Sequence, residues 1–244
     1  MEELQLKKQV LSEHLKALQK ALIISVVAIF AAFMLMFYAL RDPLVSFVLQ
    51  PLRERGIEVV ATHVSEALMM QLKVCLVAAV VAAMPVIMLQ VWNFVSPALF
   101  RGEKKLFALL FFVALLLFLC GVSFAYAYVF PLAIDLFFEA GEGVATTLWS
   151  VDRYFGFVLS FVLPFGVMFE VPVIIFMMAR KGWVTYEKLK STRKFIILAI
   201  AVVAAILTPP DIVSQCMLGI PMVFLFEIGI QISRVVKPSK KAEN

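Results

Sequence analysis

Glu170 is the residue whose type and position point most directly to chemistry. It lies ten residues before Arg180 in an apolar run, about 15 Å from it along a helix. An ionised carboxylate at that depth in a bilayer costs several kcal/mol unless it is paired, hydrated or protonated. Pro164 and Pro172 flank it, and because proline removes an intrahelical hydrogen bond, we expect a bend that exposes polar backbone. Two interpretations stay open: a functional intramembrane acid, or a protonated glutamate hydrogen-bonded to a neighbouring helix.

Two further acids are candidates that the sequence specifies less sharply. Glu227 lies near the end of the last apolar run, where snorkelling or a basic neighbour such as Arg234 would satisfy its charge. Glu103 lies among Arg101, Lys104 and Lys105. By itself, that setting is typical of a solvated loop charge.

Catalytic and metal-binding patterns are missing from the sequence. There is no Walker A loop, HExxH, GxSxG or Rossmann glycine pattern. Cys75, Cys120 and Cys216 form no CxxC pair, and His14 and His63 fall on opposite sides of the membrane predicted below. We therefore predict no catalytic residue, no metal site and no cofactor.

The composition places these residues in a membrane protein. Of 244 residues, 63% are hydrophobic and only 16% are charged, whereas soluble domains are about half apolar and about a quarter charged. A soluble core of this size cannot bury so much apolar surface, which excludes a soluble enzyme, a disordered chain and a disulfide scaffold. The alternating segments of a membrane β-barrel are also absent. We predict an all-α polytopic membrane protein in a single domain spanning 1–244.

Six apolar blocks predict six transmembrane helices. They lie at roughly 21–40, 72–91, 106–130, 155–179, 195–207 and 216–232. The last two are short, and the fifth would be only about 20 Å long against about 30 Å of hydrocarbon. We expect this short pair, joined by a turn at 208–211, to thin the bilayer or to be sheltered by protein.

The basic residues orient the spans. Seventeen of the 22 Lys and Arg residues fall in the termini and in the second and fourth loops. By the positive-inside rule, both termini are therefore cytoplasmic. Because these residues lie between apolar blocks rather than in one patch, the net charge of +5 indicates topology and not nucleic-acid binding.

The segment 1–20 precedes the first predicted span. Leu4, Leu11, Leu15 and Leu18 fall near one helical face, with the lysines largely elsewhere. This pattern predicts an amphipathic helix at the cytoplasmic surface that runs into the membrane, although a simple basic flank explains it equally well.

A series of short segments carries more information than hydropathy. In chain order they are Glu13-His14-Leu15, Gln50-Pro51-Leu52, Ser65-Glu66-Ala67, the run 85–94, Pro97-Ala98-Leu99 with Glu103, the run 165–172 around Glu170, Thr208-Pro209-Pro210-Asp211 and Phe226-Glu227-Ile228-Gly229. Each segment alone is weak evidence for a family, but the whole set, in this order over roughly 11–235, is specific. Together they resemble the TatC family, the receptor subunit of the twin-arginine (Tat) protein translocase.

The resemblance implies a bowl-like bundle of six helices in the bacterial inner membrane that binds twin-arginine signal peptides of folded proteins. It implies signal contacts by Glu103 and Phe94. The family's N-terminal acid aligns with Ala17, so Glu13, one turn earlier on the same face, is the candidate substitute.

The resemblance also implies partners. These are single-span TatA and TatB subunits, the lipid bilayer and further copies of the chain, with export driven by the proton-motive force and without covalent catalysis. The residues to which it assigns roles are Glu170 and Glu227 as intramembrane partner-binding acids, and Pro51, Pro85, Pro172 and Asp211 as structural or functional loop positions.

A secondary transporter or ion channel coupled through Glu170 is the alternative function. Such a protein commonly shows an inverted internal repeat, and the sequence shows none. A membrane-embedded enzyme ranks third, because no nucleophile or cofactor motif is present.

Overall fold

A computed structural model describes residues 2–61, 63–99, 104–141, 149–208 and 211–236, and most of these residues are helical. The helices are α1 Glu2–Ala39, α2 Arg41–Arg53, α3 Glu66–Leu99, α4 Lys104–Phe124, α5 Phe130–Gly141, α6 Val151–Met168, α7 Val171–Arg180, α8 Tyr186–Leu207 and α9 Ile212–Val235. The amphipathic segment and the first apolar block belong to one continuous helix, α1. This helix packs chiefly against α3.

Five helical stretches of the described residues are long and apolar enough to cross a membrane. They are Leu15–Ala39, Glu66–Phe94, Ala108–Glu139, Val151–Arg180 and Ile212–Val235. The predicted fifth span, 195–207, forms the apolar part of α8, whose first turns carry Glu187, Lys188 and Lys190. The structure thus supports a multi-span helical protein, while α8 falls outside the five stretches.

A π-helical turn at Ala125–Val129 joins α4 to α5. The N–H of Phe130 donates to the carbonyl of Ala125 across this turn. Because Pro131 has no N–H for the carbonyl of Ala127 and its ring crowds the preceding turn, the wider turn lets the helix pass the proline unbroken. The predicted third span ends at residue 130, and the segment after it was expected to be a loop. In the structure this segment continues as helix to Gly141.

Two short strands were not predicted from the sequence. Strand β1, Val59–Val60, pairs in parallel with β2, Trp149–Ser150. They join the segment after α2 to the start of α6. We call the end of the bundle that carries α2, β1 and β2 the strand end.

Two ion pairs reinforce the strand end. Arg55 binds Asp135 of α5 through both carboxylate oxygens, with Nη2 3.0 Å from Oδ2, and its Nη1 donates to the carbonyl of Pro51 at 3.0 Å. The hydrogen bond that Arg55 donates to the carboxylate of Asp135 raises the pKa of Arg55 above its ordinary value. Lys73 of α3 pairs with Asp152 of α6. The strand end is therefore joined to α5 and α6 by charge as well as by strand pairing.

Helix α6 lies in the core because both of its long faces meet other helices. The fully buried aromatic side chains include Phe118, Phe130, Phe161 and Phe165. Gly121 and Gly166 permit the close approach of α4 and α6: a Cβ at Gly121 would lie 2.5 Å from the carbonyl oxygen of Phe165. A Cβ at Gly166 would lie 2.5 Å from the ring of Phe118.

Candidate functional site

Glu170 lies at an interruption of the helix that forms the fourth predicted span. Helix α6 ends at Met168, α7 begins at Val171, and Glu170 precedes the first turn of α7. The side chain is half-buried, and its Oε1 is buried without a hydrogen-bond partner among the described residues. A buried oxygen without a hydrogen-bond partner lowers the stability of the folded chain. A residue with a purely structural role would not need to carry this cost.

Pro172 explains the interruption. It lies in the first turn of α7 and is buried. Because proline has no N–H, the carbonyl of Met168 loses its donor four residues later, and the backbone there leaves the regular helix. The break expected from the two flanking prolines is therefore present, immediately before Pro172.

Glu227 forms an ion pair with Arg193 of α8. Nη2 of Arg193 is 3.1 Å from Oε2 of Glu227, and the two side chains are 48% and 33% exposed. Arg234, the basic neighbour expected from the sequence, has its guanidinium over the ring of Tyr186 instead, 5.8 Å from the ring centroid. The sequence analysis allowed snorkelling or a basic neighbour such as Arg234; the basic partner in the structure is Arg193, which comes from the adjacent helix.

An open groove lies between α7 and α9, beside this ion pair. Its volume is about 630 Å³, and its lining is almost wholly apolar. The lining residues include Phe176, Phe224, Glu227, Ile228, Gln231 and Val235. Glu227 thus contributes a charged group, neutralised by Arg193, to the wall of an apolar groove.

The residues expected to meet a signal peptide are described only in part. Phe94 is half-buried near the end of α3, and the neighbouring Trp92 is buried. The backbone of Glu13 is part of α1. Glu103 lies outside the described residues, as does the side chain of Glu13.

Pro51 has a visible structural effect. It lies inside α2 and is buried, and it leaves the carbonyl of Phe47 without its donor four residues later. The hydroxyl of Tyr126 donates to that carbonyl at 2.8 Å. Tyr154 likewise donates to the carbonyl of Val48 at 2.8 Å.

Pro85 and Asp211 occupy different environments. Pro85 lies within α3 and lines an apolar cavity of about 680 Å³ bounded by α1, α2, α3, α4 and α6. Asp211 caps α9, and its Oδ1 accepts a hydrogen bond of 2.7 Å from the N–H of Ser214. An N-cap carboxylate satisfies one of the free amide groups of the first turn, which gives Asp211 a helix-starting role.

Polar groups between α8 and α9 and in the first turn of α9 received no individual role in the sequence analysis. Thr208 and Ser214 are buried, and the Oγ of Ser214 has no partner among the described residues. The Nε2 of Gln215 donates to the carbonyl of Ala201 at 3.0 Å. The proximity of Ser214 and Gln215 to the capping Asp211 was the available signal, but burial depends on packing that one sequence does not reveal.

Within the described residues, no group of three or more His, Cys, Asp or Glu side chains is arranged to hold a metal ion. The chemistry available at the sites described above is that of charge pairing, hydrogen bonding and apolar contact.

Known proteins resemble this chain along most of its length. The family pattern described as Sec-independent protein translocase protein (TatC) matches residues 13–221. A protein of that name from Carboxydothermus hydrogenoformans is 34% identical over 235 residues, which is 96% of each chain. Another, from Azotobacter chroococcum, is 38% identical over 220 residues, covering 89% of this chain and 86% of its own. A crystal structure of the twin arginine translocase receptor TatC has a TM-score of 0.85 at 34% identity, covering 91% of this chain and 100% of that one.

Proposed function

The chain belongs to the TatC family of Sec-independent protein translocase proteins, and from that premise we propose that it is the receptor of a twin-arginine translocase. It binds the twin-arginine signal peptides of folded proteins and recruits single-span TatA- and TatB-type subunits. Export is driven by the proton-motive force. The observation that carries this function is the match over 13–221 together with the receptor structure of the same fold.

We propose six spans with both termini in the cytoplasm of a bacterium, in a bowl-like bundle. The apolar part of α8, 195–207, supplies the fifth crossing, and α9 supplies the sixth. Its polar first turns stay at the cytoplasmic surface because Lys188, Lys190, Arg193 and Lys194 favour that side. The strand end then faces away from the cytoplasm.

Signal recognition in this proposal uses carboxylates near the cytoplasmic surface. Glu103 receives one guanidinium of the signal through paired, charge-assisted hydrogen bonds, which arginine makes and lysine does not match. Phe94, at the end of α3, shapes the adjoining surface. Glu13 is proposed as the second acid, because Ala17 stands where the family has a glutamate.

Partner recruitment uses the intramembrane acids. Glu170 offers an unpartnered carboxylate oxygen at a helix break, a feature that a polar group on an inserted helix can satisfy. Glu227 contributes a second polar position on α9. The chain works as a receptor and assembly platform without a covalent step, and it also contacts further copies of itself.

Site-specific crosslinking tests the proposal. The photoreactive residue replaces Lys105, an exposed position two residues from Glu103, in the full chain in membranes. It is expected to label a twin-arginine signal peptide and to label a matched twin-lysine peptide at least tenfold less. A photoreactive residue at Arg53, at the strand end and exposed, is the control and should label neither peptide. Equal labelling of both peptides from position 105 would contradict the proposed recognition.

Restoring the family acid provides a second test. Ala17 is exposed on α1, so Ala17→Glu can be made without disturbing packing. We expect this variant to increase export of a twin-arginine reporter in a cell that lacks its own receptor subunit. Ala17→Gln is the matched control, and an equal increase with glutamine would exclude a charge effect.

A further inference from the structure

The cytoplasmic end of the α7–α9 groove is rich in positive charge. Between residues 180 and 194 the chain carries six basic residues and one acid, Glu187. Arg234, at the end of α9, adds a seventh positive charge. Glu227, the acid of the groove wall, is already paired with Arg193. The charge that remains at this end favours an anionic group.

Two cations converge on a single aromatic ring at this end. Nζ of Lys190 and the guanidinium of Arg234 each lie 5.8 Å from the ring centroid of Tyr186. This arrangement places a positive charge from α8 and another from α9 beside the same side chain. Trp183, in the turn between α7 and α8, is 55% exposed, as is typical of an anchor at the membrane interface.

One end of the groove lies next to Arg234 in the chain. Val235 and Val236 line the groove and directly follow Arg234 in the chain. From there, the apolar lining continues along α9 to Ile228 and Phe224. An elongated apolar group in the groove would therefore end next to Arg234, whose guanidinium lies over the same ring as the ammonium of Lys190. A lipid chain and its phosphate have this arrangement.

We propose that the α7–α9 groove binds an anionic phospholipid, with one acyl chain against Phe224 and Ile228 and the phosphate at Lys190 and Arg234. Basic pockets between transmembrane helices bind anionic headgroups in this way. The apolar wall alone would accept any lipid, so the headgroup preference comes from the two cations. The leaflet is the cytoplasmic one in the topology proposed above, but the binding itself does not require signal recognition. A chain that fails to bind signal peptides can still retain the lipid.

Retention of lipid by the purified chain tests the proposed lipid site. The full chain, reconstituted in an equal mixture of phosphatidylglycerol and phosphatidylcholine and then extracted in mild detergent, is analysed by native mass spectrometry. We expect the wild-type chain to retain phosphatidylglycerol in preference to phosphatidylcholine. The double variant Lys190→Gln, Arg234→Gln should bind phosphatidylglycerol about tenfold to thirtyfold more weakly, because each basic residue near an anionic surface contributes about fivefold.

Control variants distinguish effects on headgroup binding, on occupation of the groove and on folding of the chain. Arg53→Gln with Arg153→Gln removes two exposed charges from the strand end and should leave retention unchanged. Ile228→Trp fills the groove and should reduce retention of both lipids, and Val235→Trp serves if that variant does not fold. Size-exclusion elution and helical content confirm folding in each case.

Three outcomes would overturn the proposal. The first is equal retention of both lipids by the wild-type chain. The second is an equal loss of phosphatidylglycerol in the strand-end control variant. The third is a protein helix retained in the groove in place of lipid.

Discussion

The hydroxyl of Tyr126 donates a 2.8 Å hydrogen bond to the carbonyl of Phe47, which is the carbonyl that Pro51 leaves without a helical donor. The two rings also stack, with centroids 4.2 Å apart. Tyr126 belongs to the π-helical turn Ala125–Val129, so this contact joins two irregular backbone segments. Pro51 creates the free acceptor, and the turn before Pro131 carries the donor.

Tyr126→Phe is therefore expected to lower the free energy of unfolding by about 1 kcal/mol, since it removes one hydrogen bond and keeps the stacked ring. Tyr128→Phe in the same turn is the control, because Tyr128 is 68% exposed and should change stability little. Denaturant unfolding in mixed micelles measures both variants. An equal loss in the two would show that the Phe47 contact is not stabilising.

Gly121→Ala is expected to destabilise the packing of α4 against α6. The added Cβ would lie 2.5 Å from the carbonyl oxygen of Phe165 and 2.9 Å from the ring of Phe169, so a backbone group must move. Overpacking of this kind costs about 1–3 kcal/mol. Thermal unfolding of the purified protein would report the loss.

Gly156→Ala is the matched control for that experiment. Gly156 lies in α6 with no atom within 4 Å of an added Cβ. Alanine has the higher helix propensity, so this variant should be neutral or more stable by up to about 1 kcal/mol. If Gly121→Ala changes thermal stability no more than Gly156→Ala does, α4 and α6 are not in close contact at Gly121.

The ion pair between Arg193 and Glu227 predicts energetic coupling between α8 and α9. Both side chains are partly exposed, so a coupling free energy of about 0.5–1 kcal/mol is expected. A double-mutant cycle of Arg193→Gln and Glu227→Gln on the unfolding free energy measures it. The same cycle with Arg234→Gln in place of Arg193→Gln should give no coupling, because Arg234 contacts Tyr186 instead.

The sequence was most informative where the determinant is local. Pro172 next to Glu170 predicts the break between α6 and α7, since a missing N–H acts on the backbone four residues away. The apolar blocks likewise predict helices, because hydropathy is a property of the segment itself. The residues of the Thr208–Asp211 region predict that one helix ends before it and another begins after it, as α8 and α9 do.

Contacts between distant segments were not predictable in the same way. Arg55 and Asp135 are 80 positions apart, and the partner of Glu227 lies on another helix. Each pairing depends on how helices are placed side by side, which hydropathy does not specify. The helix beyond residue 130 was missed for a different reason: Pro131 normally ends a helix, and here the π-helical turn accommodates it.

One substitution of Glu170 should raise the stability of the chain and lower its export function. Its Oε1 is buried without a partner among the described residues, so Glu170→Met, which keeps the volume and removes the polar group, is expected to raise the free energy of unfolding by about 1 kcal/mol. Glu139→Met is the control at an exposed position of α5 and should leave both properties unchanged.

The same Glu170→Met chain should lose export of a twin-arginine reporter by at least tenfold, because the proposed partner contact needs the carboxyl group. Signal-peptide crosslinking from position 105 should be retained, since Glu170 and the recognition surface are separate in the proposal. A fall in stability would mean that the folded chain already satisfies the carboxyl group, and the acid would then be structural. Increased stability with normal export would instead remove Glu170 from the partner site, because the unpartnered oxygen would have no functional use.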